Sequence, residues 1–522
     1  MRDIGTRGTS GTRPNILLIT TDTSRCDTLA CYAPSTGYQH AISPHLDRLA
    51  REGVIFDQAH TPAPVCMPAR CSLLTGLHTP VHGCIENGVA RRTGQTVFPD
   101  LLAAQGYTNI MVGKTHFGPV SDSFHVQHVL SGGKESSGDD FYTQHLRRHG
   151  YQRVSRHPNP IPEEHFLESL LVDTTIKEID RHVAGEPRDG SEAAESRKPF
   201  FAFCSMISPH GPLDPPGAWA NAYANRPLPP LNYVPGEAER HPQHLRELVG
   251  IVDGQDRVPS LPDGTPDMAG IDAERRLYYG LAAYCDAQIG RLLTFLDERG
   301  LRENTLVIFT SDHGVTLYDH GFHNKHHFYD EAWRVPLIIS QPGTLPQGER
   351  RDFAIWNDLT ATILAAAGAS CSTMQGFDLY TPLVAGETSP RRCAVSHLNR
   401  AFALATQRWK IEYYPEERRG RLFDRLTDPA EQTDLYADPP HRAVRDALLH
   451  ALLTWRSELT DVQWLQEHTS GRTKVAGRAA AHIKTLRGTD AEQRLNEAAE
   501  EIDAMSITAP QARARPSYPA SR

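Results

Sequence analysis

The sequence has no excess of positive charge. Its 522 residues include 54 Lys and Arg against 63 Asp and Glu, which gives a formal net charge of −9. Proteins that bind DNA or RNA use Lys and Arg to neutralise phosphates. We therefore expect no nucleic-acid partner.

The sequence also lacks a long apolar run. No stretch reaches the roughly 18 apolar residues that indicate a membrane-spanning helix. The opening residues, MRDIGTRGTSGTRPN, have no apolar centre of the kind found in a secretory signal. We therefore expect a cytoplasmic protein with no membrane partner, and a flexible N-terminus over residues 1–13.

Closely paired cysteines are absent as well. None of the nine cysteines forms a C-x-x-C pair, and an odd number cannot all be paired in disulfides. This pattern argues against a disulfide scaffold and against a thiolate zinc site. The nine are Cys26, Cys31, Cys66, Cys71, Cys84, Cys204, Cys285, Cys371 and Cys393.

Four short apolar runs, each followed by polar residues, recur along the chain: residues 15–20, 107–112, 199–207 and 305–309. Residues 274–299 repeat apolar side chains at three- and four-residue spacing, which predicts a long amphipathic helix. Alternating strands and helices predict an α/β fold, with a large doubly wound sheet, mixed or parallel, flanked by helices. Ligands bind such sheets at the carboxyl ends of the strands.

The pattern changes after about residue 382. Short strands predicted at residues 394–406, 409–414 and 421–424 are followed by a helix at 442–459. We predict a large α/β domain over residues 14–385 and a small α+β domain over residues 386–468. Residues 469–522 are charged, rich in Ala and weakly periodic, which predicts a partly disordered C-terminal tail.

The most specific segment begins at Cys66. Residues 66–70 read Cys-Met-Pro-Ala-Arg, a C-x-P-x-R motif, and residues 72–76 read Ser-Leu-Leu-Thr-Gly. This segment resembles the signature of the formylglycine-dependent sulfatases, a family of the alkaline phosphatase superfamily. A five-residue motif alone is a weak match, so the resemblance depends on the segments around it.

Further segments similar to this family follow in order, to about residue 440. They are the opening strand with Asp22, the first helix at residues 43–56, the G-K-x-H-x-G turn at 113–118, Pro209-His210, the S-D-x-G turn at 311–314, Lys325 with V-P-L at 335–337, and L-F-D at 422–424. The resemblance implies an alkaline phosphatase-like fold with a smaller C-terminal α+β domain.

The resemblance also implies a nucleophile. Cys66 would be converted to 3-oxoalanine (formylglycine) by a formylglycine-generating enzyme, the expected protein partner. One hydroxyl of the aldehyde hydrate attacks sulfur, and the second then expels sulfate and restores the aldehyde. Arg70 is implied to hold the nucleophile's hydroxyl through a hydrogen bond.

Asp22, Asp312 and His313 are the implied metal ligands, together with the oxygen derived from Cys66. The chain departs from the family pattern here, because Thr23 stands where many members have a second Asp, and His313 stands where they have Asn. Calcium is the first expectation, but an imidazole ligand makes manganese a competitor. We expect Thr23 to cap a helix rather than to bind the metal.

Four further polar residues match positions of the family: Lys114, His116, His210 and Lys325. The resemblance implies that His116 assists the elimination of sulfate. His210 and Lys325 are implied to bind the ester oxygens and to protonate the leaving group. The division of labour between these two stays open.

The sequence therefore predicts a sulfuric ester hydrolase that acts on a small or medium sulfated substrate, an aryl, alkyl or sugar sulfate. One alternative is a phosphonate monoester or phosphodiester hydrolase with the same nucleophile, since an Asp-His pair like Asp312-His313 also occurs there. Another is a catalytically silent member that only binds anions. The sequence does not identify the alcohol portion of the substrate, and it leaves open whether the chain forms a homo-oligomer.

Overall fold

The computed structural model of the protein describes residues 13–130, 140–186, 198–249, 258–468 and 481–505. The flexible N-terminus predicted over residues 1–13 lies almost wholly outside this part of the chain. The strands are β1 (Asn15–Asp22), β2 (Val54–His60), β3 (Thr108–Lys114), β4 (Val126–Leu130), β5 (Phe200–Pro209), β6 (Thr305–Ser311), β7 (Leu337–Ser340), β8 (Glu349–Ile355), β9 (Ala394–Leu398), β10 (Ala401–Ala405), β11 (Trp409–Tyr414) and β12 (Arg419–Asp424).

The α-helices are α1 (Ala33–Thr36), α2 (Pro44–Arg51), α3 (Cys66–Thr75), α4 (Thr79–His82), α5 (Phe98–Ala104), α6 (Phe141–Arg148), α7 (Leu167–Ala184), α8 (Gln243–Val249), α9 (Met268–Glu298), α10 (Asp330–Trp333), α11 (Trp356–Ala366), α12 (Tyr380–Ala385), α13 (Arg442–Glu458), α14 (Val462–His468) and α15 (Asp490–Asp503). Within the ranges given above, none of these helices combines the length and the apolar character needed to cross a membrane.

The first eight strands form one sheet in the order β4-β3-β5-β1-β6-β7-β2-β8. Neighbouring strands are parallel except β7, which runs antiparallel to both β6 and β2. The central strand β1 is parallel to β5 on one side and to β6 on the other, and all its residues are buried. Its continuous apolar run fits a strand covered on both faces.

Helices cover both faces of this sheet. Leu17 and Ile19 of β1 belong to a core shared with α2, α7 and α9, whereas Ile16 and Leu18 belong to a core shared with α3, α5 and α11. Successive side chains of a strand point to opposite faces, so these two cores lie on opposite sides of the sheet. The predicted doubly wound α/β fold with a mixed sheet is confirmed.

The long predicted helix is present as α9. It begins at Met268, earlier than residue 274, because Asp267 caps its amino end by accepting a hydrogen bond from the Gly270 N–H at 2.9 Å. Asp at this position satisfies an N–H that has no partner inside the helix. The apolar spacing alone did not reveal this extra turn.

The C-terminal part forms a second sheet of four antiparallel strands, in the order β12-β11-β10-β9. Helix α13 packs on one face of it, as expected for a small α+β unit. The tail predicted from residue 469 includes a packed helix that the sequence analysis did not predict, α15, which lies against α13 through Leu495 and Ile502. Residues 506–522, where disorder was expected, lie outside the described residues.

Candidate active site

Polar side chains converge at the carboxyl ends of the central strands. Asp22 ends β1, Lys114 ends β3, and His210 directly follows β5, while Asp312 and His313 directly follow β6. The strand order β3-β5-β1-β6 makes these four ends neighbours. The side chains they carry therefore meet in one place, as the topology of parallel sheets favours.

Cys66 lies at the same edge of the sheet, as the first residue of α3. Its side chain is 2% exposed. The amino end of a helix carries a partial positive charge that stabilises an anion or a developing negative charge. A residue that forms a negatively charged intermediate is well placed here.

Four side chains are close enough to share one metal ion. Asp22, Cys66, Asp312 and His313 are buried, and one ligand atom from each lies within 4.8 Å of the others. The Nδ1–H of His313 donates to the Gly314 carbonyl at 2.8 Å, which leaves Nε2 as the metal-binding atom. Two carboxylates and an imidazole fit a divalent cation such as calcium or manganese.

Each carboxylate of this group divides its two oxygens between a cationic side chain and the metal position. Oδ2 of Asp22 pairs with the Lys114 ammonium, and Oδ2 of Asp312 accepts from Nε of Arg70 at 2.8 Å. The Oδ1 atoms lie 3.9 and 3.8 Å from Nε2 of His313. Arg70 and Lys114 therefore orient the carboxylates and neutralise part of their charge.

Arg70 donates hydrogen bonds from all three of its guanidinium nitrogens. Its Nη1 donates to Oγ of Ser205 at 2.8 Å and to the Lys114 carbonyl at 3.2 Å, and its Nη2 lies 3.4 Å from Oδ2 of Asp22. These contacts join Arg70 to residues of β3, β5 and β1. Arg70 therefore acts here as a support for the candidate ligands.

The positive groups around Cys66 change its acidity. Burial alone raises the pKa of the thiol, but Lys114, Lys325 and His313 outweigh burial and hold this pKa well below its ordinary value. The three also favour any other anion at this position. The pocket is locally positive although the chain has a net charge of −9.

Lys325 and His210 form a hydrogen-bonded pair beside Cys66. Nζ of Lys325 lies 3.4 Å from Sγ of Cys66 and 2.9 Å from Nε2 of His210. The Nδ1–H of His210 donates to the Gly211 carbonyl at 2.7 Å, so Nε2 is the acceptor for Lys325. The pair is suited to hold an anionic oxygen and to supply a proton.

His116 approaches Cys66 from the other side. A side-chain hydrogen bond from His116 contributes to the lowered pKa of the Cys66 thiol. The backbone of His116 has a φ of 46°, in the left-handed region, and its Nδ1 is buried with no hydrogen-bond partner in the described chain. A strained backbone and an unsatisfied polar atom are typical of a functional position.

Comparison with known proteins identifies the family of the chain. A family model described as Sulfatase matches residues 14–369. The chain belongs to the sulfatase family. A second model, described as N-sulphoglucosamine sulphohydrolase, C-terminal, matches residues 318–458. The predicted family is confirmed.

Relatives of this sulfatase share about a quarter of its residues. An arylsulfatase of Clostridium perfringens is 28% identical over 516 residues, covering 91% of this chain and 100% of the relative. An N-acetylglucosamine-6-O-sulfatase of Bacteroides thetaiotaomicron is 25% identical over 512 residues, covering 86% of this chain and 87% of the relative. Both similarities extend over the two sheets.

Solved structures show the same fold. The phosphonate monoester hydrolase of Agrobacterium radiobacter aligns with a TM-score of 0.70 at 24% identity, covering 85% of this chain and 96% of that one. An enzyme solved in complex with its substrate D-glucosamine-2-N,6-O-disulfate aligns with a TM-score of 0.67 at 21% identity, covering 85% and 98%. The chain therefore shares its fold with both enzymes.

The structure brings together every site residue that the sequence analysis named in this sulfatase. They are Asp22, Cys66, Arg70, Lys114, His116, His210, Asp312, His313 and Lys325. The sequence analysis missed Ser205, which holds Arg70 from β5. The signal available for it was a polar residue inside the otherwise apolar run FFAFCSMI of that strand.

The expectation for Thr23 is wrong, because Thr23 caps no helix. The short helix that follows has Arg25 at its N-cap and no side-chain cap. Instead, the backbone of Thr23 has a φ of 67°, and its N–H donates to Oδ1 of Asp312 at 3.3 Å. Its carbonyl accepts from the Tyr278 hydroxyl at 2.7 Å. Thr23 therefore takes part in the site through its backbone.

Proposed function

We propose that this sulfatase, a sulfuric ester hydrolase, cleaves a sulfate monoester with a formylglycine formed from Cys66 as its nucleophile. The observation that carries the proposal is the position of Cys66, with Sγ 3.1 Å from Nε2 of His313 and 3.4 Å from Nζ of Lys325. A group formed at this position would lie between the candidate metal ligands and the cationic side chains that bind the substrate.

Asp22, Asp312 and His313 would hold one divalent cation together with the oxygen derived from Cys66. The bound cation would polarise the ester oxygens and lower the pKa of the attacking hydroxyl. The two carboxylates support calcium as the first choice, and His313 supports manganese as its competitor. Arg70 and Lys114 would keep the Oδ1 atoms of the carboxylates turned towards this cation.

The reaction follows from two hydroxyl groups on one carbon. A hydroxyl of the formylglycine hydrate attacks sulfur, the S–O bond to the alcohol breaks, and the alcohol oxygen takes up a proton. The second hydroxyl then loses its proton, its electron pair forms the aldehyde, and the C–O bond to sulfate breaks. Water regenerates the hydrate. A serine at this position would lack the second hydroxyl and would stay sulfated.

The cationic side chains supply charge and protons. Lys325 and His210 would bind the non-bridging oxygens and protonate the leaving oxygen, because their hydrogen-bonded pair lies beside Cys66. His116 would take the proton from the second hydroxyl, because it reaches Cys66 and its Nδ1 has no other partner among the described residues. Proton transfer of this kind accelerates a reaction about 100- to 10,000-fold.

The substrate we propose is a small or medium sulfated molecule, an aryl, alkyl or sugar sulfate. Relatives named N-acetylglucosamine-6-O-sulfatase and iduronate 2-sulfatase support a sugar sulfate within this class. We also propose a cytoplasmic location and a formylglycine-generating enzyme as the partner that modifies Cys66.

A phosphonate monoester hydrolase with the same nucleophile is the second candidate. The observation that favours it is His313 in the candidate metal site, where many sulfatases have Asn. Lys114 and His116 favour the sulfatase, because they match the sulfatase G-K-x-H-x-G turn.

A comparison of two substrates on the modified protein decides between the candidates. We expect a higher kcat/KM for an aryl sulfate than for an aryl phosphonate monoester with the same leaving group. A higher kcat/KM for the phosphonate would overturn the sulfatase assignment. Protein produced without the modifying enzyme is the matched control, and absence of turnover from fully modified protein on both substrates would support a silent anion-binding member.

A further inference from the structure

In the described parts of the chain, one further group of three metal-ligating side chains lies outside the active site. His145 and His149 come from α6 and the residue that ends it, and His165 comes from the single turn Glu163–His165 that precedes α7. One ring nitrogen from each lies within 4.8 Å of the others. The ring centroids are 4.4, 5.2 and 4.3 Å apart.

The spacing of His145 and His149 explains why two of the rings meet. Residues four apart lie one above the other on the same face of a helix. Two histidines at this spacing can bind one metal ion together, as they do in the H-E-x-x-H motif. His165 adds a third imidazole from a separate segment, so the arrangement does not depend on helix geometry alone.

The nitrogen atoms have the separation that a single metal ion requires. Nε2 of His145 lies 3.2 Å from Nδ1 of His165. Two nitrogens on one tetrahedral zinc ion lie about 3.3 Å apart, because each Zn–N bond is about 2.0–2.1 Å long. The separation of these two nitrogens therefore fits one shared ion.

The third ring is oriented by its own helix. The Nδ1–H of His149 donates to the His145 carbonyl at 2.9 Å, which leaves Nε2 to bind a metal. Metal-binding histidines commonly donate their second N–H to a carbonyl in this way.

We propose that His145, His149 and His165 form a second metal site, which binds one divalent cation of the zinc class. Imidazole nitrogens suit zinc, nickel and copper better than calcium or magnesium. The site has only three protein ligands and lies at the surface, so water completes the coordination.

The bound ion would join two segments that are connected only by the loop over residues 150–162. Asn159 of this loop donates to Oδ2 of Asp214 at 2.9 Å and pairs with Pro216, so the loop also contacts the segment that follows His210. An ion that binds the three imidazoles of the folded chain, and not the unfolded chain, stabilises the fold by its binding free energy. We therefore expect zinc to raise the Tm of the protein.

Zinc binding by equilibrium dialysis tests the proposal. The protein carries no histidine tag, and its active site is first saturated with calcium or manganese. Because zinc also competes for the active site, the comparison is between variants. We expect His149→Ala and His165→Ala each to bind one zinc ion fewer per chain than the wild type, and to lose the zinc-dependent rise in Tm.

His450→Ala is the matched control, because His450 is an exposed helical histidine outside the group. It should bind zinc as the wild type does. The Tm of each variant without zinc shows that it is folded. Equal zinc stoichiometry in the wild type and both variants would overturn the proposal and would leave the adjacent imidazoles as a hydrogen-bonded cluster. Because neither variant alters the active site, this outcome is independent of the proposed function.

Discussion

His313 is the residue in which the chain departs most clearly from the sulfatase pattern. It replaces an amide oxygen by an imidazole nitrogen in a set of buried ligands. A hard cation such as calcium prefers oxygen ligands, whereas manganese accepts nitrogen more readily. We therefore expect the metal preference of this sulfatase to depend on this side chain.

We predict that His313→Asn shifts the preference towards calcium. The ratio of the dissociation constants for manganese and calcium, measured by calorimetry on the metal-free protein, should rise by about tenfold. His78→Asn is the control, because His78 is equally buried but lies outside the site. An unchanged ratio would mean that His313 does not bind the metal.

Arg70 contacts both candidate metal-binding carboxylates at once. Its planar guanidinium reaches Asp22 and Asp312 from different nitrogens, which a lysine ammonium cannot do. We predict that Arg70→Lys reduces metal affinity and kcat/KM about 10- to 100-fold, the usual effect of losing a group that orients a metal ligand. Exposed Arg51→Lys should change neither quantity, and wild-type metal affinity in Arg70→Lys would contradict this role.

At the scale of single residues, the sequence named the side chains that meet in the candidate site but not all of their contacts. Motif matching compares residue types at fixed spacing, and on that basis it drew attention to Arg70 and Thr23. It does not describe the strand order that brings Ser205 beneath Arg70, or the left-handed backbone at Thr23. Those features depend on the packing of distant segments.

Among the elements, helix α2 is capped by a side chain from another helix. Asp286 of α9 accepts from the N–H groups of Leu46 at 2.8 Å and His45 at 3.2 Å. Burial raises the pKa of Asp286 to about 7, although the two N–H groups lower it. The carboxylate therefore costs folding free energy when it ionises inside the protein.

This shift predicts a stability that falls as the pH rises. The pKa of Asp286 in the folded protein exceeds the value of about 3.9 expected in the unfolded chain. The contribution of Asp286 to the free energy of unfolding is therefore complete below about pH 3.9 and is lost as the pH rises through 7. Each unit of pKa shift corresponds to about 1.4 kcal/mol. The amide of Asp286→Asn does not ionise, so this loss should be absent from the variant.

Urea unfolding between pH 5 and 9 measures the effect. The free energy of unfolding of the wild type should fall relative to that of Asp286→Asn by about 1–3 kcal/mol over this range. Glu298→Gln, at the exposed end of the same helix, is the control for loss of a carboxylate. A constant difference between wild type and Asp286→Asn would show that the capping N–H groups outweigh burial.

The elements that the sequence predicted best are those with a continuous apolar run or a long periodic face. The strands β1, β3, β5 and β6 and the helix α9 belong to this group. Helix α15 was missed because only Leu495 and Ile502 on its buried face are large and apolar; the other buried residues are Ala491, Glu492, Asn496 and Ala499. The apolar residues of this segment have helical spacing, but the many charged residues between them made that spacing hard to recognise.

For the molecule as a whole, α15 links the two sheets through buried charges. Glu492 lies 2.7 Å from Nη1 of Arg391, which in turn lies 2.6 Å from Asp358 of α11. Nε2 of His78, in the first part of the chain, lies 3.0 Å from Glu492. All four side chains are 0–1% exposed, so they are strongly shielded from solvent.

We predict that Glu492→Ala destabilises the protein by about 3–5 kcal/mol, because it leaves a buried arginine with incomplete compensation. Denaturant unfolding measures the change. Glu497→Ala, on the exposed side of the same helix, should alter the free energy of unfolding by less than about 0.5 kcal/mol. Equal stability of the two variants would mean that α15 does not support the fold.

The whole molecule is acidic, but its candidate active site carries several positive charges. The sequence predicted an acidic protein with a locally positive pocket, and Arg70, Lys114 and Lys325 are buried together around Cys66 and Asp22. Composition alone supplied only the net charge of −9. The positive charge of the pocket could be predicted only from the family motifs, which contain Arg70, Lys114 and Lys325.

The central claim is that Cys66 is converted to formylglycine and acts as the nucleophile. Peptide mass spectrometry of protein co-expressed with a formylglycine-generating enzyme, combined with turnover of an aryl sulfate, tests it most directly. We predict an aldehyde at Cys66, turnover proportional to the modified fraction, no turnover in Cys66→Ala, and retained turnover in Cys71→Ala, a buried cysteine of the same helix. Full turnover by unmodified protein, or by Cys66→Ala, would contradict the account.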